Sequence, residues 1–427
     1  MGELVEALIT SDSEANQWTC SAWDPRTGTS VMTYKGGEAA ASHCLSMVTN
    51  NFLVTANNTK PLIHIWPTNS QEQISGVRLV SPGKVNALAV SSDGNFLIAG
   101  IQENIYIWQI CSGKLLNVIS RHFQAITTIK FTDDNSHFVS AGHDGTVLVW
   151  NLTKTASGEQ QPLYNLNDHA LPVTDIHIGR GGLRAILCTV SLDRSCRFYN
   201  LITGELLLNL VHDEGLTSIC INILENDAFI GTVSGIIYQY NLNNPPRIKE
   251  YHMQENDYNN KFLGHNSNSV TCLDLSLDGK MLASGGKDNN VYLWDIASKQ
   301  VLRVISHRGP ITNIKFILCG RNTFNAEINF NLIISNLKRM KDNEESSIQD
   351  VIEVFIPDVA VDNEIIEDFC QEFTQSDSLS TVSKSGDQSE ELKALKEENE
   401  RLKKINRSLY NFSVNKILCN ESEIDQH

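Results

Sequence analysis

Short apolar runs rich in Val, Ile, Leu and aromatic residues, parted by polar turns, fill the chain from residue 3 to about 338. They read as β-strands. An aromatic residue ends one such run at Trp23, Trp66, Trp108, Trp150, Tyr199, Tyr240 and Trp294, at intervals of 43, 42, 42, 49, 41 and 54 residues. A period of roughly 40 to 45 residues holds four short strands, and four-stranded sheets repeated at that period build a β-propeller. The two long intervals contain a polar stretch at Gly179 to Arg184 and a polar insertion from Asn243 to Lys261 with Pro245 and Pro246, both expected in loops. Turn signals fall in step: Ser91-Ser-Asp-Gly94, Thr132-Asp-Asp-Asn135 and Leu277-Asp-Gly279 between runs, and Thr27-Gly28, Ser112-Gly113 and Thr203-Gly204 after the aromatics.

Strand counting argues for closure. The N-terminus offers two strands before its first turn, Glu3 to Thr10 and Gln17 to Asp24, and Pro310 to Leu318 supplies an apolar strand after the last complete unit. Joining them finishes a seventh blade and leaves few open edges. The run Phe324 to Leu337 is expected to extend that blade or to cover its side.

One unit, Phe262 to Asp295, displays a fixed polar pattern. It carries His265, Ser284, Asp288 and Trp294, and the pattern recurs as His122, Ser140, Asp144 and Trp150, then with threonine and tyrosine as His169, Thr189, Asp193 and Tyr199. In all three the hydroxyl precedes the acid by four residues and the acid precedes the aromatic by six. The unit resembles a WD repeat along its whole length, and in that family these four side chains form a hydrogen-bonded tetrad within a blade. Buried His and Asp need such partners, because an unpaired polar group away from water costs about 1 to 3 kcal/mol. Six residues before Trp66, Trp108 and Tyr240 stand Lys60, Gln102 and Ser234, so those blades are expected to rely on packing alone.

After the propeller the character changes. Asp342 to Glu391 holds fifteen acids against Lys384 alone, −14 of the net −16, which leaves about −2 for the other 377 residues. This Ser-rich stretch is expected to be mostly disordered, with the alternative that the apolar patches Val351 to Ile356 and Ile365 to Phe369 fold on a partner. Beyond Gly386 the spacing turns helical, with Leu392, Asn399 and Asn406 at heptad a and Leu395, Leu402 and Leu409 at heptad d. That seam predicts a coiled coil, and Asn at a favours a parallel pair in fixed register. The alternative is one amphipathic helix docking on the propeller or on a partner. The whole chain thus reads as all-β, a seven-bladed WD-repeat β-propeller with a C-terminal coiled-coil helix: propeller over 1–338, acidic tether over 339–388, helix over 389–414 and flexible tail over 415–427.

Several segments carry a more specific resemblance. Trp18-Thr-Cys-Ser-Ala-Trp-Asp24, Thr33-Tyr-Lys-Gly-Gly37, Ser120-Arg-His-Phe123, His169-Ala-Leu-Pro-Val-Thr-Asp175 and Leu402-Lys-Lys-Ile-Asn-Arg-Ser-Leu-Tyr-Asn-Phe-Ser413 are similar to the family of WD-repeat propeller subunits that act on precursors of the large ribosomal subunit. The resemblance implies a non-catalytic scaffold in the nucleus, nucleolus and nucleoplasm, compatible with a cytoplasmic pool, that serves rRNA processing and ribosome biogenesis. It implies as partners a proline-, glutamate- and leucine-rich helical-repeat protein, a second helical-repeat subunit, a SUMO protease, the AAA ATPase midasin and the pre-ribosomal particle. It also implies a homodimer seamed by Leu392, Leu395, Asn399, Leu402, Asn406, Leu409 and Phe412.

Composition excludes other classes. No stretch approaches the roughly 18 to 20 apolar residues of a bilayer span, Met1 to Thr10 lacks the basic start of a secretory signal, and Gly2 has no Ser or Thr at position 6 for myristoylation. Ten cysteines contain no CxxC pair, so they read as reduced thiols with no zinc and no other cofactor. The acidic balance argues against a broad nucleic-acid-binding surface. No GxxxxGK[ST], HExxH, GxSxG or post-strand GxGxxG is present, so no enzyme is expected. The rival reading is a cullin ubiquitin ligase substrate receptor, since Trp23-Asp-Pro-Arg26 spells WDxR; the same residues also make a strand-ending turn.

Overall fold

The computed structural model describes residues 5–341 apart from 15–17, 50, 244, 247, 254–259, 320–322 and 325–333. These belong to one compact unit, Gly2–Asp358. The seam residues Leu392, Leu395, Asn399, Leu402, Asn406, Leu409 and Phe412, the helix over 389–414, the tail over 415–427 and nearly all of the tether lie outside the described residues.

Seven antiparallel sheets follow one another along the chain. The first blade is built from Ala40–Val48, Phe52–Asn57, Leu62–Pro67 and Leu79–Val80, and the second from Ala87–Val90, Phe96–Ile101, Asn104–Gln109 and Leu115–Ser120. Ile126–Phe131, His137–Gly142, Val147–Asn151 and Tyr164–Leu166 form the third; Val173–Ile178, Ile186–Ser191, Ser195–Asn200 and Leu206–Val211 form the fourth. The fifth has Leu216–Ile221, Asp227–Thr232, Ile236–Asn241 and Lys261–Leu263, and the sixth Val270–Leu275, Met281–Gly286, Asn290–Asp295 and Val301–Ser306. The closing blade takes its inner strand, Ile311–Cys319, from the far end of this unit and the other three, Val5–Asp12, Cys20–Trp23 and Ser30–Tyr34, from its beginning. Val5–Asp12 pairs with Ile311–Cys319 from Val5↔Cys319 to Asp12↔Ile311.

Alternation along each strand explains the ring. Successive side chains point to opposite faces of a sheet, so a strand buried on both faces is apolar throughout and feeds two cores. In Asn290–Asp295, Val291 and Leu293 pack toward the closing blade while Tyr292 and Trp294 pack toward the fifth. Each hydrophobic cluster among the described residues accordingly joins two successive blades. Trp66, Trp108, Trp150 and Trp294 are all almost wholly buried.

Three connections depart from the sequence expectation. The insertion after Asn243 is not purely loop, since Glu250–His252 adds to the fourth blade as a fifth strand, parallel to Leu206–Val211. Phe324 packs on the cluster between the closing and first blades, as expected for that run, but Ile334 and Leu337 at its far end cover the cluster between the first and second blades, and the Lys338 N–H donates to Gly113 O at 2.8 Å. A short helix, Leu152–Ala156, capped by the Asn151 side chain, follows the third strand of the third blade. Trp23-Asp-Pro-Arg26 forms a turn: Asp24 Oδ1 accepts the Arg26 N–H at 2.9 Å and Oδ2 accepts the Thr27 hydroxyl at 2.9 Å.

Candidate functional site: blade tetrads and the central channel

In the sixth blade Trp294 Nε1–H donates to Ser284 Oγ at 2.8 Å, Ser284 Oγ lies 2.8 Å from His265 Nε2, and His265 Nδ1 lies 3.0 Å from Asp288 Oδ1. A carboxylate only accepts, so Nδ1 carries the proton and the serine hydroxyl donates to Nε2. The third blade repeats the chain, with Trp150 Nε1 to Ser140 Oγ at 3.0 Å, Ser140 Oγ to His122 Nε2 at 2.8 Å and His122 Nδ1 to Asp144 Oδ2 at 3.2 Å. The fourth brings His169, Thr189 and Asp193 together, at 2.8 Å to the threonine and 2.9 Å to the acid. Tyr199 stands apart: its phenol donates to Asp168 Oδ2 at 2.9 Å. A phenol carries its hydroxyl at the ring's far end, beyond the place where an indole presents N–H, so the aromatic here does not close the set.

The Ser–His–Asp order is also that of a nucleophilic triad. Here the serine oxygen accepts an indole N–H, and Ser140 and Ser284 are 0% exposed. No substrate carbonyl can approach such an oxygen. Burial pushes the Asp144 and Asp193 carboxyls up, but bonds from His122, Phe123 N–H and Thr146 N–H to the first, and from His169 and Ser195 to the second, more than offset it and hold both well below the usual carboxylate range. The acids are fixed anions that orient loops.

Glycines enforce this packing. A Cβ on Gly264 would lie 2.6 Å from Trp294 Cη2, and one on Gly37 would lie 2.5 Å from Trp66 Cη2. Gly264→Ala is therefore expected to displace the indole from Ser284 and destabilise the chain by about 2 kcal/mol, as overpacking does. Urea unfolding checks it: on a Trp294→Phe background, which removes the obstructing ring atoms, the same change should cost less than half as much.

A fourth network was not read from the sequence. In the closing blade Trp23 Nε1–H donates to Thr10 Oγ1 at 2.8 Å, Thr10 Oγ1 lies 3.1 Å from His307 Nε2, and His307 Nδ1 faces Asp12 Oδ2 at 3.6 Å. The blades with Lys60 and Gln102 do not hold by packing alone, because Trp66 Nε1–H donates to Lys35 O and Trp108 Nε1–H to Lys338 O, each at 2.8 Å.

The inner strands surround a cavity of about 370 Å³ lined by His43, Lys130, Asp175, His177, Asp274 and Lys315 among others. Asp175 Oδ2 accepts the Ile219 N–H of the next blade at 3.1 Å, and Asp274 Oδ2 accepts the Phe316 N–H of the next blade at 2.5 Å. Thr174 and Thr271 hydroxyls donate across the same joints to Leu216 O at 3.0 Å and Ile311 O at 2.7 Å. Burial, with Lys130 adding to it, lowers the His177 pKa to about 3, and burial pushes Asp274 up and Lys315 down. Channel polarity thus serves blade-to-blade stapling. Among the described residues no three His, Cys, Asp or Glu side chains converge as metal ligands, and no helix is long and apolar enough to cross a membrane.

Seven radial blades with buried tetrads define a WD-repeat propeller. The profile described as "WD domain, G-beta repeat" matches residues 113–151, and that described as "Vps8 beta-propeller" matches residues 197–327. Over 331 residues the chain is 36% identical to WD repeat-containing protein 18 of Mus musculus, covering 77% of this chain and 76% of that one, and it is 37% identical over 328 residues to the Danio rerio protein, with 76% of each covered. The chain belongs to the WD repeat-containing protein 18 family. It is also 31% identical over 325 residues to Pre-rRNA-processing protein pro-1 of Caenorhabditis briggsae, covering 73% of this chain and 61% of that one.

Proposed function

We propose that this protein is a non-catalytic scaffold in nuclear maturation of the large ribosomal subunit, acting in pre-rRNA processing and pre-ribosome remodelling. The observation that carries the reading is membership of the WD repeat-containing protein 18 family together with similarity to a relative named for pre-rRNA processing. The geometry supports the non-catalytic part, since the Ser, His and Asp side chains that could do chemistry are consumed in tetrads. Its partners on this reading are the proline-, glutamate- and leucine-rich helical-repeat protein, a second helical-repeat subunit, the SUMO protease, midasin and the pre-ribosomal particle, in nucleolus and nucleoplasm. A rigid ring presents loops and blade edges to several of these at once, and pairing through the helix over 389–414 doubles the ring and raises effective concentration across the assembly.

Native affinity purification with mass spectrometry is the test, and depletion should accumulate large-subunit rRNA precursors. Recovery of cullin adaptors without ribosome-maturation factors would replace this reading with the ubiquitin-ligase one. Leu402→Asp with Leu409→Asp should give monomers on light scattering with an unchanged unfolding midpoint; a doubly substituted chain that stays dimeric refutes the seam.

A further inference from the structure

Val301–Ser306 is the outer strand of the sixth blade, and among the described residues no strand pairs beyond it. Two other rims are covered. Asn117 Nδ2 on the second blade's outer strand donates to Thr155 O at 2.8 Å, Arg121 Nε donates to Gln160 O at 2.9 Å, and the fourth blade carries the added strand Glu250–His252, paired Asn209↔Glu250 to Val211↔His252. On the sixth blade Val301, Leu302 and Val304 stand 39%, 45% and 51% exposed, and Arg303 is the one charged residue of the six.

The ladder fixes which backbone groups are open. His307 N–H donates to Asn289 O at 2.8 Å, next to the pair Asn290↔Ser306. Antiparallel alternation then turns the N–H and C=O of Leu302, Val304 and Ser306 away from the blade. A six-residue edge with four aliphatic side chains and these groups open is a template for another strand.

We propose that Val351-Ile-Glu-Val-Phe-Ile356 of this chain adds to that edge as an antiparallel fifth strand, with Glu353 opposite Arg303. The segment is β-branched and aromatic, unlike the acidic residues around it. Placing Glu353 against Arg303 sets four apolar pairs face to face, Leu302 with Val354, Val304 with Ile352, Val301 with Phe355 and Ile305 with Val351, and leaves Ile356 opposite Gln300 at the end of the strand. A shift by one residue sets Arg303 against an aliphatic side chain and the glutamate against another. Opposite charges and apolar pairs facing across strands stabilise a sheet, and the acidic run around the segment is drawn to Lys299 and Arg303. The fourth blade already carries a later segment of the chain on its outer strand, there in parallel orientation.

Hydrogen exchange on the full-length protein, read residue by residue, tests the assignment. In this register the amides of Ile352 and Val354 bond to Val304 and Leu302 and exchange at least tenfold more slowly than those of Val351, Glu353 and Phe355. Val304→Pro removes an outward N–H and no bond within the blade; it should abolish that difference while blade-core amides stay protected. Arg303→Glu and Glu353→Arg should each speed exchange several-fold, and the two together should restore it to within about twofold of the natural chain. Uniformly fast exchange over 351–356 in the unaltered protein, or protection that survives Val304→Pro, overturns the proposal. Protection of Leu302 and Val304 alone assigns the edge to a second copy or to another protein and equally overturns it.

Discussion

Replacing Asn313 by leucine should destabilise the protein by about 4 kcal/mol, although the side chains are similar in size, because buried polar groups left without partners cost about 1 to 3 kcal/mol each. Asn313 is 5% exposed on the closing blade's inner strand. Its Oδ1 accepts the Cys44 N–H at 3.1 Å, and its Nδ2 donates to Ala41 O at 2.8 Å and Ser11 Oγ at 3.0 Å. One amide therefore ties the first blade to the closing one, and binds the closing blade's inner strand to its neighbour Val5–Asp12. Leucine strands an N–H and a carbonyl at the joint where the ring is held by contacts between residues about 270 to 300 apart in sequence. Equilibrium urea unfolding measures the loss. Asn313→Asp, which keeps the acceptor for Cys44 but lacks the amide donors, should also lose stability, and a leucine variant within 1 kcal/mol of the natural chain would refute the role.

That joint marks where sequence reading stopped. Blades contained in one stretch of chain were legible, because the hydroxyl, acid and aromatic of a tetrad sit at fixed offsets on adjacent strands of one hairpin set. The closing blade's network has its histidine at 307 and its hydroxyl at 10, with Asp12 two residues on and Trp23 eleven further, so no local offset reveals it. The one available signal was His307-Arg-Gly-Pro-Ile311, which parallels His169-Ala-Leu-Pro-Val173 ahead of the next inner strand. Tyr199 shows the opposite failure. The offset was right and the chemistry differed, since a phenol and an indole of similar bulk place their donors at different depths. Inter-blade staples such as Thr174, Asp175 and Asn313 were illegible for a third reason: a single polar residue on an inner strand does not say which neighbouring blade it will meet.

Lowering the pH from 7 to 5 should cost the protein about 4 kcal/mol, and buried histidines rather than the tetrad acids should be responsible. Burial lowers the His212 pKa to about 4, against a smaller upward pull from Asp213, and lowers that of His177 to about 3. An unfolded histidine titrates near 6.5. Between that value and the folded one, only the unfolded chain takes up the proton, so stability is full above about 6.5 and falls as pH drops, by about 1.4 kcal/mol per unit for each such residue. Two residues over the 1.5 units from 6.5 to 5 give about 4 kcal/mol. His43, His64, His137 and His265, lowered by burial too, act in the same direction. Asp144 and Asp193 have depressed folded values, so their contribution is intact above about 4 and is lost only in stronger acid. Urea unfolding at pH 7 and pH 5 separates the two groups. His212→Asn and His177→Asn should each flatten the pH 7 to 5 decline by about 2 kcal/mol. A midpoint that does not move between those pH values, or a decline unchanged in both variants, would show that these imidazoles are protonated within the folded ring.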